Sequence, residues 1–262
     1  MIEKDFSIYH LEYFLTIFVR VLGVMSFAPI FGNQTVTRRV RIFIAVAFSF
    51  AVFVAYPYTP LGYTTFIGYT FILLKELVVG LSIGFTSNIT LTIIQMAGQF
   101  IDRELGFSMV SNFDQTFNTE TTITAEFYNM LFMVIMLCSD MHYFVLSALS
   151  DSFELIPIGN AAIDTGIIYD TMIQYISDYF IIAVRISLPI QISIMLLNVV
   201  LGVLAKTAPQ MSMFVIGIQL KIFIGFAVLF VTLGFLPNIT QFLYGEMQDI
   251  VTNILKAYIP VT

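Results

Sequence analysis

Charge is scarce in this sequence: only 11% of its 262 residues are charged, against 58% that are hydrophobic. Cysteine is scarcer still, and the lone Cys138 excludes an internal disulfide and any cysteine-based metal cluster. The two histidines come without metal-ligand spacing, so neither a metal nor another cofactor is expected. Catalytic signatures are missing as well. There is no HExxH, no GxSxG and no phosphate loop, and the acids within apolar stretches do not pair as an aspartyl dyad would. No enzyme activity is expected. A balance of 11 basic against 17 acidic residues, net −6, provides no basic patch for nucleic acid. Residues 1–5 carry Glu3 and Asp5 where a cleavable signal peptide would have a basic start.

What the chain has is hydrocarbon. Its mean hydropathy of +0.92 is far too high for a soluble domain. A membrane span needs about 20 apolar residues, and the stretches 42–74, 77–101, 186–205 and 222–245 carry no charge at all. The pattern predicts an all-α polytopic membrane protein, a single domain over 1–262, with about six apolar helical segments at 11–31, 42–56, 66–101, 123–149, 179–204 and 214–236. The third segment would reach roughly 50 Å at 1.5 Å per residue, more than a bilayer core of about 30 Å. It either tilts strongly or lies partly outside hydrocarbon. The tail 239–258 is amphipathic at best. Connections 32–41, 102–122 and 205–212 hold Arg38, Arg39, Arg41, Arg103 and Lys206, whereas 57–65 and 150–178 hold no Lys or Arg. With six spans this places the basic connections in the cytoplasm and both termini outside.

Several charges interrupt the apolar runs. A charge in hydrocarbon costs at least about 2.5–3.5 kcal/mol on insertion scales, so Arg20, Glu76, Arg185 and Lys221 are expected to meet a partner or a polar cavity. Asn88, Thr92, Gln95, Gln99 and Asp102 recur at helical spacing along one face of the third segment. Gly80 and Gly84 form a small-xxx-small pair on another face, which lets a second backbone approach closely. Gln191, Asn198, Gly202 and Lys206 make a comparable stripe in the fifth segment, and in the sixth Lys221 sits between Gly217 and Gly225. Two readings of these faces stand. They line a hydrated path or bind other subunits, or they make ordinary hydrogen bonds between helices of one monomer. Met130, Met133 and Met136 read as apolar packing, and His142 beside Asp140 as a structural or interfacial histidine that could titrate near neutral pH.

Whole blocks of the chain then become recognisable. FVRVLGVMSFAPIFG (18–32) followed by RRVR, LLKELVVGLSIGF (73–85) and AGQFIDRELGFSMVSNFD (97–114) resemble the flagellar biosynthetic FliR family. SFELIPIG (152–159) and LPIQISIMLLNVVLGVLAKTAPQMSMFVIGIQLKIFIG (188–225) are similar to later blocks of that family, in the same order. The chain departs from the pattern at Thr37 and Gln115, where a proline is usual, and at Ser212, where asparagine is common.

The resemblance implies an export-gate subunit of the flagellar type III protein export apparatus, in the inner membrane at the flagellar basal body. Its N-terminal part is FliP-like and its C-terminal part FliQ-like. One copy would join five FliP-like and four FliQ-like subunits in a helical, channel-forming hetero-oligomer of bent helical hairpins, beside FlhB, FlhA, membrane lipid and unfolded export substrates. Residues 106–122 would correspond to a plug loop, with Phe107, Met109, Phe113 and Phe117 filling the lumen and Gly106 and Ser108 allowing movement. On this basis the chain is expected to be a non-enzymatic channel subunit that passes unfolded axial proteins and is needed for flagellum assembly. The homologous subunit of a virulence injectisome is the nearest alternative. A small-solute secondary transporter is an alternative of another class; it would call for an internal repeat with broken helices, and no convincing repeat is seen.

Overall fold

The computed structural model describes residues 8–32, 36–107, 122–207 and 213–259, and every regular element among them is a helix. In chain order these are α1 (Ile8–Phe27), α2 (Arg38–Ala55), α3 (Phe66–Leu105), α4 (Ile123–Cys138), α5 (Tyr143–Leu155), α6 (Thr165–Thr207), α7 (Met213–Leu233) and α8 (Leu236–Lys256). Four of them, α1, α3, α6 and α7, are long and apolar enough to cross a membrane, or five spans if α4 and α5 are counted as one broken crossing. The expected segment 42–56 corresponds to α2. Its apolar part after Arg41 covers residues 42–55, about 21 Å of helix, and α2 is not among the span candidates.

Two further boundaries differ from the sequence pattern for identifiable reasons. The expected segment 123–149 is interrupted at Ser139–His142, where Asp140 takes φ +57°. Asp tolerates that left-handed conformation better than most residues. The expected segment 179–204 starts fourteen residues earlier, at Thr165, because Asp164 caps it: its Oδ1 accepts hydrogen bonds from the amides of Gly166 (2.9 Å) and Ile167 (3.2 Å). Pro189 sits inside this 43-residue helix.

The chain divides into two compact units. The first comprises Met1–Ile89, Asp140–Tyr175 and Gly245–Thr262. On α1, Tyr13, Ile17, Val21 and Val24 are buried at helical spacing, and α1 packs on α2. Gly80 and Gly84 of α3 face α1 so closely that a Cβ on Gly80 would collide with the Arg20 carbonyl, and one on Gly84 would lie 2.6 Å from the Val24 carbonyl oxygen. Gly23 of α1 answers them, its own Cβ position 3.0 Å from the Leu81 nitrogen. The tail is amphipathic: Met247, Ile250, Val251, Ile254 and Leu255 of α8 are all buried. The connection after α5 is fastened to the end of the chain by Ala162 N–H to Tyr258 O (3.2 Å) and Asp164 N–H to Ala257 O (3.0 Å).

The second unit comprises Thr90–Ser139 and Ile176–Tyr244. Ile93, Ile94, Ala97 and Ile101 of α3 are buried with Ala125, Tyr128, Phe132 and Met136 of α4, Ala183, Ile190 and Ile194 of α6, and Leu229 of α7. Gly98 lets α3 touch the backbone of Ala125, and Gly225 of α7 lies directly against the Leu105 side chain. Tyr179 donates to the Thr92 carbonyl at 3.1 Å, and the Tyr128 and Thr232 hydroxyls are 3.3 Å apart.

Candidate functional site

Arg20 lies in the middle of α1 and is fully buried, as is Glu76 of α3. They form an ion pair, with Arg20 Nε 2.5 Å from Glu76 Oε2. The remaining guanidinium donors go to the end of α5: Nη1 donates to the Ser152 carbonyl (2.8 Å) and, with Nη2, to the Ile156 carbonyl (3.2 Å each). Helix C-termini leave carbonyls unpaired and carry a partial negative charge, so a cation there is doubly favoured. The Phe153 ring lies 4.5 Å from Arg20 Cζ, within cation–π range. Glu76 Oε1, in turn, accepts from the Gly159 amide at 2.9 Å. Gly159 has φ +86°, a conformation few side chains adopt. A buried pair gains enough to offset desolvation only when its other hydrogen-bonding groups are also satisfied, and here they are.

Asp102 makes the second buried carboxylate site, in the other unit. It accepts from the Thr124 amide (2.8 Å), the Thr124 hydroxyl (2.5 Å) and the Ala125 amide (3.3 Å). These are first-turn amides of α4, which have no intrahelical partner, so Asp102 serves as the cap that Thr122 does not supply. Three residues after Asp102, α3 ends at Leu105. Gly106, at φ +86°, gives its amide to the Arg103 carbonyl (3.3 Å), and Phe107 gives its own to the Asp102 carbonyl (3.0 Å). That paired hydrogen-bond pattern with a left-handed glycine is a Schellman stop. The Phe107 ring then packs on Phe226, with centroids 6.1 Å apart. The chain therefore leaves α3 and re-enters α4 at one place, fastened by a single carboxylate.

The other residues singled out in the sequence are placed as follows. Ser108, Met109, Phe113 and Phe117 lie outside the described residues. Gln95 is half-buried and Gln99 exposed, so the polar stripe of α3 turns progressively outward before Asp102 turns it back. Arg185 and Asn198 of α6 are exposed and Lys221 of α7 is half-buried. Gly217 is met by Leu201, whereas a Cβ on Gly202 would meet nothing. His142 Nδ1 is buried without a hydrogen-bond partner. Among the described residues no three His, Cys, Asp or Glu gather as metal ligands. Ser152, Ile156 and Gly159 were not singled out as site residues, although they fall in the SFELIPIG block. Their contribution is chiefly through backbone atoms, with the Ser152 hydroxyl also 3.4 Å from Arg20 Nη1, and only the glycine leaves a clear mark in the sequence.

Together these features define an all-α polytopic membrane protein whose buried charges are held by helix ends. The sequence model of the bacterial export proteins, family 1, matches residues 11–247, and the chain belongs to that family. It is 29% identical over 241 residues to the flagellar biosynthetic protein FliR of Pectobacterium carotovorum subsp. carotovorum, covering 91% of this chain and 90% of that protein. It is 27% identical to FliR of Bacillus subtilis (strain 168), over 92% of this chain and 94% of the relative. The surface presentation of antigens protein SpaR of Shigella flexneri is 24% identical, over 88% and 89% respectively.

Proposed function

We propose that this chain is a non-enzymatic channel subunit of a flagellar type III export apparatus, helping unfolded axial proteins across the inner membrane at the flagellar basal body. The observation that carries the reading is the Asp102–Thr124 clamp at the base of residues 106–122. The sequence between these ends carries Phe107, Phe113 and Phe117, and a charged hydrogen bond joins the ends themselves, which suits an apolar obstruction anchored at its base. Phe107 and Phe226 supply an apolar contact at its edge. An apolar constriction in a pore excludes water and ions by dewetting, which is the role we assign to Phe113 and Phe117 of this segment. Membership of the export family and similarity to FliR proteins over about nine-tenths of the chain support the apparatus.

The partners follow from the same reading: FliP-like and FliQ-like subunits around a single copy of this chain, with FlhB and FlhA alongside. Gly202 and Asn198 on the uncovered face of α6 are the residues we assign to such contacts. Similarity to SpaR keeps an injectisome role as the second reading. Deleting the gene tests the proposal. Secretion of hook and filament proteins should stop and return on complementation with the full chain; undiminished secretion by the deletion strain contradicts it.

A further inference from the structure

One cavity in the second unit is unrelated to either buried carboxylate. It has a volume of about 420 Å³ and is lined by Arg185 and Pro189 of α6, Phe235 at the α7–α8 turn, and Asn238, Ile239 and Phe242 of α8, among others. No acid lines it. Thr232 also reaches the cavity, but its hydroxyl is already bonded to the Leu229 carbonyl at 2.9 Å. No described acid pairs with Arg185, so its guanidinium brings an uncompensated positive charge to a largely apolar wall. Pro189 adds a second polar feature. Having no N–H, it leaves the Arg185 carbonyl without its intrahelical donor.

Depth identifies what meets this charge. On α6, Asp170 and Asp178 precede Arg185, and the charge-free run is 186–205, closed by Lys206. Arg185 and Lys206 are therefore 21 residues apart, about 31 Å along a helix, against a hydrocarbon core of about 30 Å. The bilayer fits between these two cations and nowhere else on α6. α7, with 21 residues, has the same reach. Both helices are poorly covered by the chain itself, with 22% and 17% of their apolar windows buried. Arg185 and Asn238 thus stand at one headgroup layer, while Ile239, Phe242 and Pro189 offer an apolar wall beside them.

We propose that this cavity is a binding site for one anionic phospholipid. Its phosphate pairs with the Arg185 guanidinium and the Asn238 amide, a headgroup hydroxyl donates to the freed Arg185 carbonyl, and the start of an acyl chain lies on Phe235, Ile239 and Phe242. The phosphate neutralises the cation at the depth where a lipid phosphate resides, and the apolar wall separates a lipid from a free anion. This site is independent of the channel reading.

The test uses the full-length chain, delipidated in detergent and titrated with phosphatidylglycerol, phosphatidylcholine or inorganic phosphate while bound species are counted by native mass spectrometry. Phosphatidylglycerol should bind about tenfold more tightly than phosphatidylcholine, a preference that Arg185→Gln abolishes, Arg185→Lys keeps in part and Arg103→Gln leaves intact. Arg185 is exposed, so its replacement leaves the fold in place. A phosphatidylglycerol preference undiminished in Arg185→Gln overturns the proposal, as does displacement of the lipid by equimolar inorganic phosphate. A photo-crosslinker at Phe242 in cell membranes should label phospholipid; labelling of protein alone assigns the cavity to a neighbouring subunit and overturns it too.

Discussion

The Asp102 carboxylate holds the Thr124 amide at 2.8 Å and the Thr124 hydroxyl at 2.5 Å, which joins the end of α3 to the beginning of α4 across 22 positions of sequence. The two ends of the connection between α3 and α4 cannot separate without breaking this buried, charge-assisted contact. Bonds of this kind contribute about 1.5–3 kcal/mol.

Asp102→Ala should therefore cost about 1–3 kcal/mol, through the lost cap and the amides left without a partner. Asp102→Asn keeps one acceptor oxygen and should recover part of that. Thermal unfolding of the purified chain measures both. If the clamp matters to the loop, Asp102→Ala also increases ion leakage of the assembled gate, whereas a destabilised chain with an unchanged leak would mean that Asp102 only caps α4.

The Arg20–Glu76 pair is the most consequential buried interaction in the first unit. Removing one partner leaves an uncompensated buried charge, and Arg20→Met or Glu76→Met should each cost about 3–5 kcal/mol. The double replacement should recover a large part of the loss, because two apolar side chains need no partner. Arg20→Lys should not substitute, since an ammonium cannot reach Glu76 and both α5 carbonyls in the same planar arrangement. Steady-state level in the membrane and unfolding temperature of the unchanged chain, the two single methionine variants and the double provide the double-mutant cycle, and the same readings test Arg20→Lys.

The glycines separate into two groups by what surrounds them. A methyl at Gly80 collides with the Arg20 carbonyl, which is backbone and cannot rotate away. Gly80→Ala should push α1 and α3 apart and cost about 1–3 kcal/mol, the range typical of overpacking. At Gly202 a methyl meets nothing. Gly202→Ala should leave the isolated chain within about 0.5 kcal/mol of the original while weakening co-purification with FliP-like and FliQ-like subunits. Loss of fold in Gly202→Ala contradicts the assignment of this face to partners.

Tyr63, in the connection before α3, donates its phenol to the Glu12 carboxylate, and that hydrogen bond to an acid raises its pKa to about 12. An unfolded tyrosine ionises near 10. The sign follows: the folded state favours the neutral phenol, so the contribution of this bond is complete below about pH 10 and is lost as pH rises towards 12. In a spectrophotometric titration, Tyr63→Phe should remove a phenolate that appears only at the alkaline end; loss of one that titrates near 10 would show that the bond is absent.

How much of this was legible in the sequence depends on what carries each contact. The length of α3 and the packing role of Gly80 and Gly84 follow from local periodicity, because a helix places residues three and four apart on one face. The charges of Arg20 and Glu76 stood out individually. Their pairing spans 56 positions and depends on how α1 crosses α3, which no local pattern encodes. In the sequence Asp102 is the end of a polar stripe, but two of its partners are backbone amides of the next helix, and nearly every residue has an amide. The same applies to the α5 carbonyls around Arg20. The break at Asp140 and the early start at Thr165 were hidden in runs of acceptable hydrophobicity, and each turns on one acidic side chain, Asp140 or Asp164, acting on the backbone.

The central claim is that residues 106–122 obstruct a protein-conducting channel. Its most direct measurement is the ion conductance of the assembled complex in a planar bilayer, comparing the full chain with one in which the loop is shortened to a few glycine and serine residues. A shortened loop should leave the gate leaking ions in the absence of substrate. Conductance equal to that of the full chain, in an assembly of the same composition, contradicts the claim.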